Sequence, residues 1–543
     1  MPGVHSGART VAGPYDLDSD GKVDIILSDY TGGGRVHMLE SVGPDMWELV
    51  WSSPFLDSTG TTNNTRGIVG GDLDGDGMGE VLSFSGRGYS ATNPITLLFR
   101  PALVALEAVG DNIFSSLPDL WDFDGDLPDR WRTEQMVIAD VDGDGANELL
   151  FGNNGSNNNY DSWYVVSAVD LGTGLGAWFQ EARWTSRITA GVDEVNRGGG
   201  SAYGITPANL DGGSDMEIAM MSWNNLNFTN ARTIDPDMYV APTAPDTAAF
   251  RHAAPTDQVA LFGCAAVDMD GNGDDEVYCP AYPTSNVTLL NYEAGENALE
   301  VNAGNLVYGL IPGLSGLGLT AGDIDMDGQP ELIGSGLSYT SGSFVAGNPP
   351  TWIRIADYIE GDVEDPASYS VRSIQFPDDL VNGFDTIHRD SAGVMTTYYE
   401  NGPQGPEFAG KLAFLGDPHG DGPNEVALSF QGVDDSVYVY KEVFNPADST
   451  YTRTMESAML HPRRAFLRVL SGDGLDTRIE YDRVIVPSDF ELHPNYPNPF
   501  NPSTTFPLHC HSTNASAFGS MTFPGASCAR SSTMSCTVKV RTT

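Results

Sequence analysis

A chain of 543 residues with 74 Asp+Glu, 27 Lys+Arg and a net charge of −47 is long enough for several domains or one large repeat array. At 40% hydrophobic residues it can bury a sizeable core, while its acid excess excludes a nucleic-acid or anionic-membrane surface, because both need clustered Lys/Arg. No apolar run is long enough to predict a transmembrane helix, and the first residues lack the apolar stretch of a signal peptide. The expectation is a cytoplasmic chain or one whose start is missing.

The acid is concentrated in a nine-residue pattern that recurs seven times. In chain order the windows are DLDSDGKVD from Asp16, DLDGDGMGE from Asp72, DVDGDGANE from Asp140 and NLDGGSDME from Asn209. DMDGNGDDE from Asp268, DIDMDGQPE from Asp323 and DPHGDGPNE from Asp417 follow. Successive starts lie 56, 68, 69, 59, 55 and 94 residues apart, and the windows hold 27 of the 74 acids. Carboxylates at positions 1, 3, 5 and 9 with glycine at position 6 wrap oxygens around a hard cation. Calcium takes about six to eight oxygens, and the glycine allows the sharp turn that gathers them. The carbonyl of position 7 is a further expected ligand.

The predicted ligands in the first three windows are Asp16, Asp18, Asp20 and Asp24; Asp72, Asp74, Asp76 and Glu80; and Asp140, Asp142, Asp144 and Glu148. The fifth window offers Asp268, Asp270, Asn272 and Glu276, and the sixth Asp323, Asp325, Asp327 and Glu331. Two windows are weaker. The fourth has Asn209, Asp211 and Glu217, with Gly213 at position 5 and Ser214 where the glycine belongs. The seventh keeps Asp417, Asp421 and Glu425 but puts His419 at position 3, a poor calcium ligand. Five good sites and two weak ones are expected. An acidic stretch at Asp122–Asp129 lacks the position-6 glycine and reads as a loop.

An EF-hand would need an acid at position 12 and flanking helices. Position 12 is Leu27, Ser83, Phe151, Met220, Cys279, Gly334 and Leu428, and short strand-like apolar runs flank the windows, such as Met136-Val137-Ile138 and Leu149-Leu150-Phe151. Each window therefore reads as a loop between two β-strands. These windows resemble the calcium hairpins of FG-GAP/VCBS repeats, the blades of integrin α-type β-propellers. The resemblance implies an all-β, seven-bladed propeller over residues 1–487, each blade carrying its calcium loop between its first two strands. Residues 340 to 400 read as an inserted loop.

After Pro487 comes a second text, Leu492-His493-Pro494-Asn495-Tyr496-Pro497-Asn498-Pro499-Phe500-Asn501-Pro502-Ser503-Thr504. It resembles the opening of the type A C-terminal sorting domain of the type IX secretion system. That resemblance implies export by this secretion machinery to the medium or outer surface of a Gram-negative, Bacteroidota-like bacterium. From about residue 507 the chain departs from the family: it is rich in Ser/Thr, shows no alternation, and holds Cys510, Cys528 and Cys536. Residues 488–543 are therefore expected to be a partial sorting segment, disordered or out of frame after about 507.

Cys264 and Cys279 flank the fifth window and would lie nearly opposite in a hairpin, where either a disulfide or two buried thiols would fit. The nine histidines form no HExxH, no G-x-S-x-G is present, and His252, His388 and Tyr203 are not singled out by any spacing. The expected function is a secreted or surface module that binds protein or glycan without catalysis. A polysaccharide-active, lyase-like enzyme on the same scaffold is the alternative.

Overall fold

The computed structural model describes residues 8–29, 34–44, 46–54, 65–85, 102–121, 133–153, 162–185, 202–210, 212, 216–222, 225–230, 250–253, 263–281, 286–291, 306–312, 314, 318–335, 351–375, 385–391, 393–400, 408–431, 437–459, 465–472, 482–484, 491–492, 503–509, 527–529 and 535–541. Among them there is no α-helix, and the single helical element in unit 5–484 is a 3-10 turn at Pro366–Ser368, capped by Asp365. The chain divides into two compact units, residues 5–484 and residues 485–543 with 1–4.

The larger unit repeats one antiparallel sheet. The first sheet runs β1 (Ala8–Tyr15), β2 (Asp24–Asp29), β3 (Arg35–Gly43) and β4 (Met46–Ser52). The second holds β5 (Ile68–Gly71), β6 (Glu80–Ser85), β7 (Ala102–Gly110) and β8 (Ile113–Phe114), with β9 (Asp119–Trp121) also on β7. The third is β10 (Met136–Ala139), β11 (Glu148–Asn153), β12 (Ser162–Val169) and β13 (Ala177–Thr185). The fourth is β14 (Ala202–Ala208), β15 (Glu217–Ser222), β16 (Asn225–Asn230) and β17 (Phe250–Ala253). The fifth is β18 (Ala265–Val267), β19 (Glu276–Ala281), β20 (Asn286–Leu290) and β21 (Leu306–Tyr308). The sixth is β22 (Leu319–Gly322), β23 (Glu331–Ser335), β24 (Thr351–Tyr358) and β25 (Tyr369–Gln375).

Two sheets interleave next. Strands β26 (Asp385–Ser391) and β27 (Val394–Glu400) are followed by β28 (Phe408–Gly416) and β29 (Glu425–Gln431), then β30 (Val437–Asn445), β31 (Thr450–Met459), β32 (Ala465–Ser471) and β33 (Asp482–Val484). The seventh repeat sheet is β28-β29-β32-β33; the extra sheet is β27-β26-β30-β31, in which β26 and β30 run parallel. Residues 340 to 400 are thus not one inserted loop. They supply the outer half of the sixth sheet and two strands of the extra sheet. Runs such as Val394–Glu400, VMTTYYE, pair through backbone hydrogen bonds and show no apolar alternation in the sequence.

Second strands are apolar on both faces because neighbouring sheets cover both. All six residues of β2 and of β11 are buried. Seven core clusters each join consecutive sheets. Ile26 packs with Val81, Leu82 with Phe151, and Leu150 with Ile218. Met221 packs with Val277, Tyr278 with Leu332, and Ile333 with Val426. The seventh cluster unites Ala427 and Leu467 of the seventh sheet with Val11 and Ile25 of the first. Packing is close: a Cβ on Gly322 would meet the Phe414 ring at 2.4 Å.

In the smaller unit β34 (Glu491–Leu492), β35 (Ser503–His509), β36 (Ser527–Ala529) and β37 (Ser535–Arg541) form a sheet ordered β34-β35-β37-β36. The segment after 507, expected to be without strands, pairs here by backbone ladder, which needs no alternation of side chains.

Candidate metal centre

Every window connects the first two strands of its sheet, so antiparallel pairing puts all seven loops at one end of their sheets. The turn is made by left-handed backbone at two places. At position 6, Gly21, Gly77, Gly145, Gly273, Gly328 and Gly422 have φ from 85° to 114°. Position 4 is also left-handed, and there Ser19 (59°) and Met326 (61°) adopt it without being glycine. The sequence gives no warning of those two.

Three side chains organise the loops with complete oxygen sets. The position-1 aspartate accepts backbone N–H groups from across the turn: Asp72 takes Gly75 (2.8 Å), Asp76 (3.1 Å) and Gly77 (2.9 Å). Asp140, Asp268, Asp323 and Asp417 do the same with their own turns, and Asp16 accepts Gly21. The position-5 side chains of Asp20, Asp76, Asp144, Asn272 and Asp327 accept the N–H of position 7 at 2.7–2.9 Å. Position 9 opens the second strand, is buried and, in every window but the seventh, where position 2 is Pro418, turns one oxygen back to the N–H of position 2. Asp24 takes Leu17, Glu80 takes Leu73, Glu148 takes Val141, Glu217 takes Leu210, Glu276 takes Met269 and Glu331 takes Ile324, at 2.7–3.0 Å.

The remaining oxygens converge. Asp323, Asp325, Asp327 and Glu331 bring oxygens within 4.8 Å of one another, as do Asp16, Asp18 and Asp24, and Asp72, Asp74 and Glu80. Buried Asp18 Oδ1, Asp24 Oδ1, Glu80 Oε1 and Asp142 Oδ2 have no hydrogen-bond partner among the described residues. Burial, reinforced by neighbouring carboxylates and opposed by the position-2 N–H, pushes Glu80 up to about 9. It pushes Glu148 and Glu276 to about 8, and Asp24 and Glu331 to about 7. Unpaired buried oxygens aimed at one point, with no nitrogen or sulfur donor among them, fit a hard cation.

The two weak windows differ as their residues dictate. At the fourth, Asp211 lies outside the described residues, and the fifth loop presses in: Asp275 exchanges backbone and side-chain hydrogen bonds with Asn209 (2.7 and 2.9 Å). At the seventh, buried His419 holds Ser41 Oγ at 2.6 Å through Nδ1 and faces Glu425 at 3.5 Å through Nε2. The imidazole stands where other loops carry an aspartate. Asp122–Asp129 lies outside the described residues.

Neighbouring loops are tied through position 8. Gly79 N–H donates to Leu17 O (2.7 Å), Asn147 Nδ2 to Asp72 O (2.7 Å) and Met216 N–H to Val141 O (2.9 Å). Asp275 N–H donates to Asn209 O (2.7 Å), and Asn424 Nδ2 to Asp323 O (2.5 Å). Ser41 Oγ closes from the first sheet onto Pro418 O of the seventh loop (3.1 Å). Pro330, at position 8 of the sixth window, has no N–H to give.

A second tier of acid escaped the sequence reading. Glu40, Glu107 and Asp357 sit on third strands directly opposite the position-9 residues Asp24, Glu80 and Glu331, and Glu181 of β13 approaches Asp142 and Asp144, which with burial helps raise it to about 7. The signal was one acid inside an apolar run, as in HMLESV and LVALEAV. Cys264 and Cys279 are joined as a disulfide.

The opposite end of the sheets holds a buried ion cluster at the starts of first strands. Glu134, fully buried, accepts Arg9 Nη2 at 2.8 Å and Arg66 Nη1, while Lys411 Nζ donates to its carbonyl. Burial opposes Glu134 ionisation, but the three cations hold it below the ordinary range. Burial pushes Lys411 down to about 7, with Arg9 adding to the effect and Glu134 opposing it.

Residues 16–83, from the first loop into β6, match the family model of the FG-GAP-like repeat. The match covers the first two of the seven windows. No curated protein matches it. Among solved structures, it is similar to the BP39L lectin from Burkholderia pseudomallei at 9% identity and a TM-score of 0.40, over 86% of this chain and 96% of that one. It is also similar to the biofilm matrix protein Bap1 of V. cholerae at 14% identity and a TM-score of 0.22, over 94% of this chain and 86% of that one. With TM-scores below 0.5, neither likeness bears on fold or ligand.

Proposed function

We propose that residues 5–484 form a seven-bladed, calcium-stapled β-propeller that serves as a non-catalytic binding or adhesion module, secreted or at the outer cell surface. The propeller reading is supported by the seven core clusters, whose succession returns from the seventh sheet to the first. Calcium is supported by the convergent buried oxygens of the loops. Export through a type IX sorting segment rests on the Leu492–Thr504 motif alone.

One observation carries the binding role: the acidic loops are spent on holding strands. Their carboxylates close on their own backbone and on the next loop. At the other end, the strand ends are joined by 15 or 16 residues of sequence (53–67, 86–101, 186–201 and 336–350); the strand ends joined by 231–249 and 291–305 are at the metal end. A scaffold of paired strands under long connections suits recognition. The test is a glycan array and a surface-protein pull-down with the full chain. Saturable capture without product release is the expected result.

Lyase-like action on an acidic polysaccharide is the second reading, and Lys411 favours it. A lysine lowered to about 7 by burial and by Arg9, next to Glu134, has the character of a base that takes a proton beside a carboxylate. Unsaturated sugar products released from uronic-acid glycans, and lost in Lys411→Met, would replace the first reading with this one.

A further inference from the structure

Three repeats set a third-strand carboxylate directly across from the position-9 carboxylate: Glu40 opposite Asp24, Glu107 opposite Glu80, and Asp357 opposite Glu331. Like charges facing across antiparallel strands repel. In two of the three, the chain itself supplies the counter-cation. Lys22, at position 7 of the first window, reaches Glu40 at 2.7 Å and Asp20 at 2.6 Å. Arg372 of β25 bridges Asp357 at 2.7 Å and Asp325 at 2.8 Å.

The second repeat lacks this device. Its position 7 is Met78, which packs against the core between the first and second sheets. No basic side chain pairs with Glu107 among the described residues. Glu107 is 8% exposed, and its Oε2 has no hydrogen-bond partner. It points into the loop: oxygens of Asp74, Asp76 and Glu107 lie within 4.8 Å of one another. The same Asp74 also belongs to the trio with Asp72 and Glu80. A partnerless buried carboxylate facing two aspartates is costly unless a cation joins them.

We infer that the second repeat binds a second divalent cation, held by Asp74, Asp76 and Glu107, in the place that Lys22 and Arg372 fill in the first and sixth repeats. The donor set is oxygen throughout, so the ion belongs to the calcium class. Asp74 serves both ions of the repeat. The inference adds one ion to the loop site of the proposed calcium scaffold, and so rests partly on that reading.

The test counts ions by native mass spectrometry on the full chain, stripped on a chelating resin and reloaded with calcium chloride. Two variants probe the site from different sides. Glu107→Gln removes the third carboxylate with little change of shape. Met78→Lys grafts the first repeat's ammonium into the second. Each is expected to hold one calcium fewer than the wild type. Equal counts in the three chains overturn the second site and leave the loop sites standing. A wild type that takes up no calcium overturns both. Should Glu107→Gln fail to fold, the count for Met78→Lys decides.

Discussion

Removing the cations should reverse how stability depends on pH. In the stripped chain the position-9 carboxylates carry raised folded-state values: Glu80 about 9, Glu148 and Glu276 about 8, Asp24 and Glu331 about 7. A raised acid binds more protons folded than unfolded. Its contribution is complete below the ordinary 3.8–4.5 and is lost as pH climbs through the raised value. For Glu148, 1% exposed, the gap from 4.5 to about 8 has a ceiling of about 5 kcal/mol at about 1.4 kcal/mol per unit. Taking only a third of the five ceilings gives about 8 kcal/mol, comparable with a whole domain's net stability. With calcium bound the carboxylates are held ionised and their folded values fall below the ordinary ones. Their contribution is then present above that range and fades only in acid. Melting curves of resin-stripped and calcium-loaded chain at pH 5 and pH 8 check this. The stripped chain should melt lower at pH 8 than at pH 5, and the gap between the two forms should widen at pH 8. A gap equal at both values would refute the reasoning.

Gly79→Ala puts a Cβ 2.9 Å from the Leu17 Cα and displaces the Gly79 N–H to Leu17 O bond between the first two loops; a loss of about 1–3 kcal/mol is expected in urea titration. Reducing the Cys264–Cys279 disulfide, sequence separation 15, should cost about 3 kcal/mol by loop-closure entropy, seen as a lower midpoint with dithiothreitol and none in Cys264→Ala/Cys279→Ala. Asp142→Ala, which removes a carboxylate with a buried unpartnered oxygen, should lower the calcium-loaded melting temperature more than Asp211→Ala in the weak fourth window; equal effects would mean that the ranking of the windows is wrong.

Much of this was legible because the motif is local. Nine residues fix a turn whose donors and acceptors lie within the same nine, so Asp72 finding Gly75 and Gly77 needs nothing from elsewhere in the chain. Strand two was equally legible, since an uninterrupted apolar run such as Ile25-Ile26-Leu27 suits burial on both faces. What escaped was non-local. Glu40, Glu107 and Asp357 join their loops only through strand register, over 16 to 27 residues. The position-8 ties cross from one repeat to the next, and Arg9 meets Glu134 across 125 residues. The seventh sheet was obscured by β30 and β31, which come between its second and third strands in sequence and pair instead with β26 and β27. The disulfide stayed open because a hairpin brings two cysteines together whether or not they are oxidised.

The most direct test is the metal content of the full chain, purified without chelator and dialysed exhaustively against metal-free buffer, by plasma emission spectroscopy. The loops with complete oxygen sets predict about five tightly held calcium ions per chain, with the second-repeat ion making about six. A chain that carries no calcium, and whose melting temperature is the same with EDTA and with added calcium, would contradict the account.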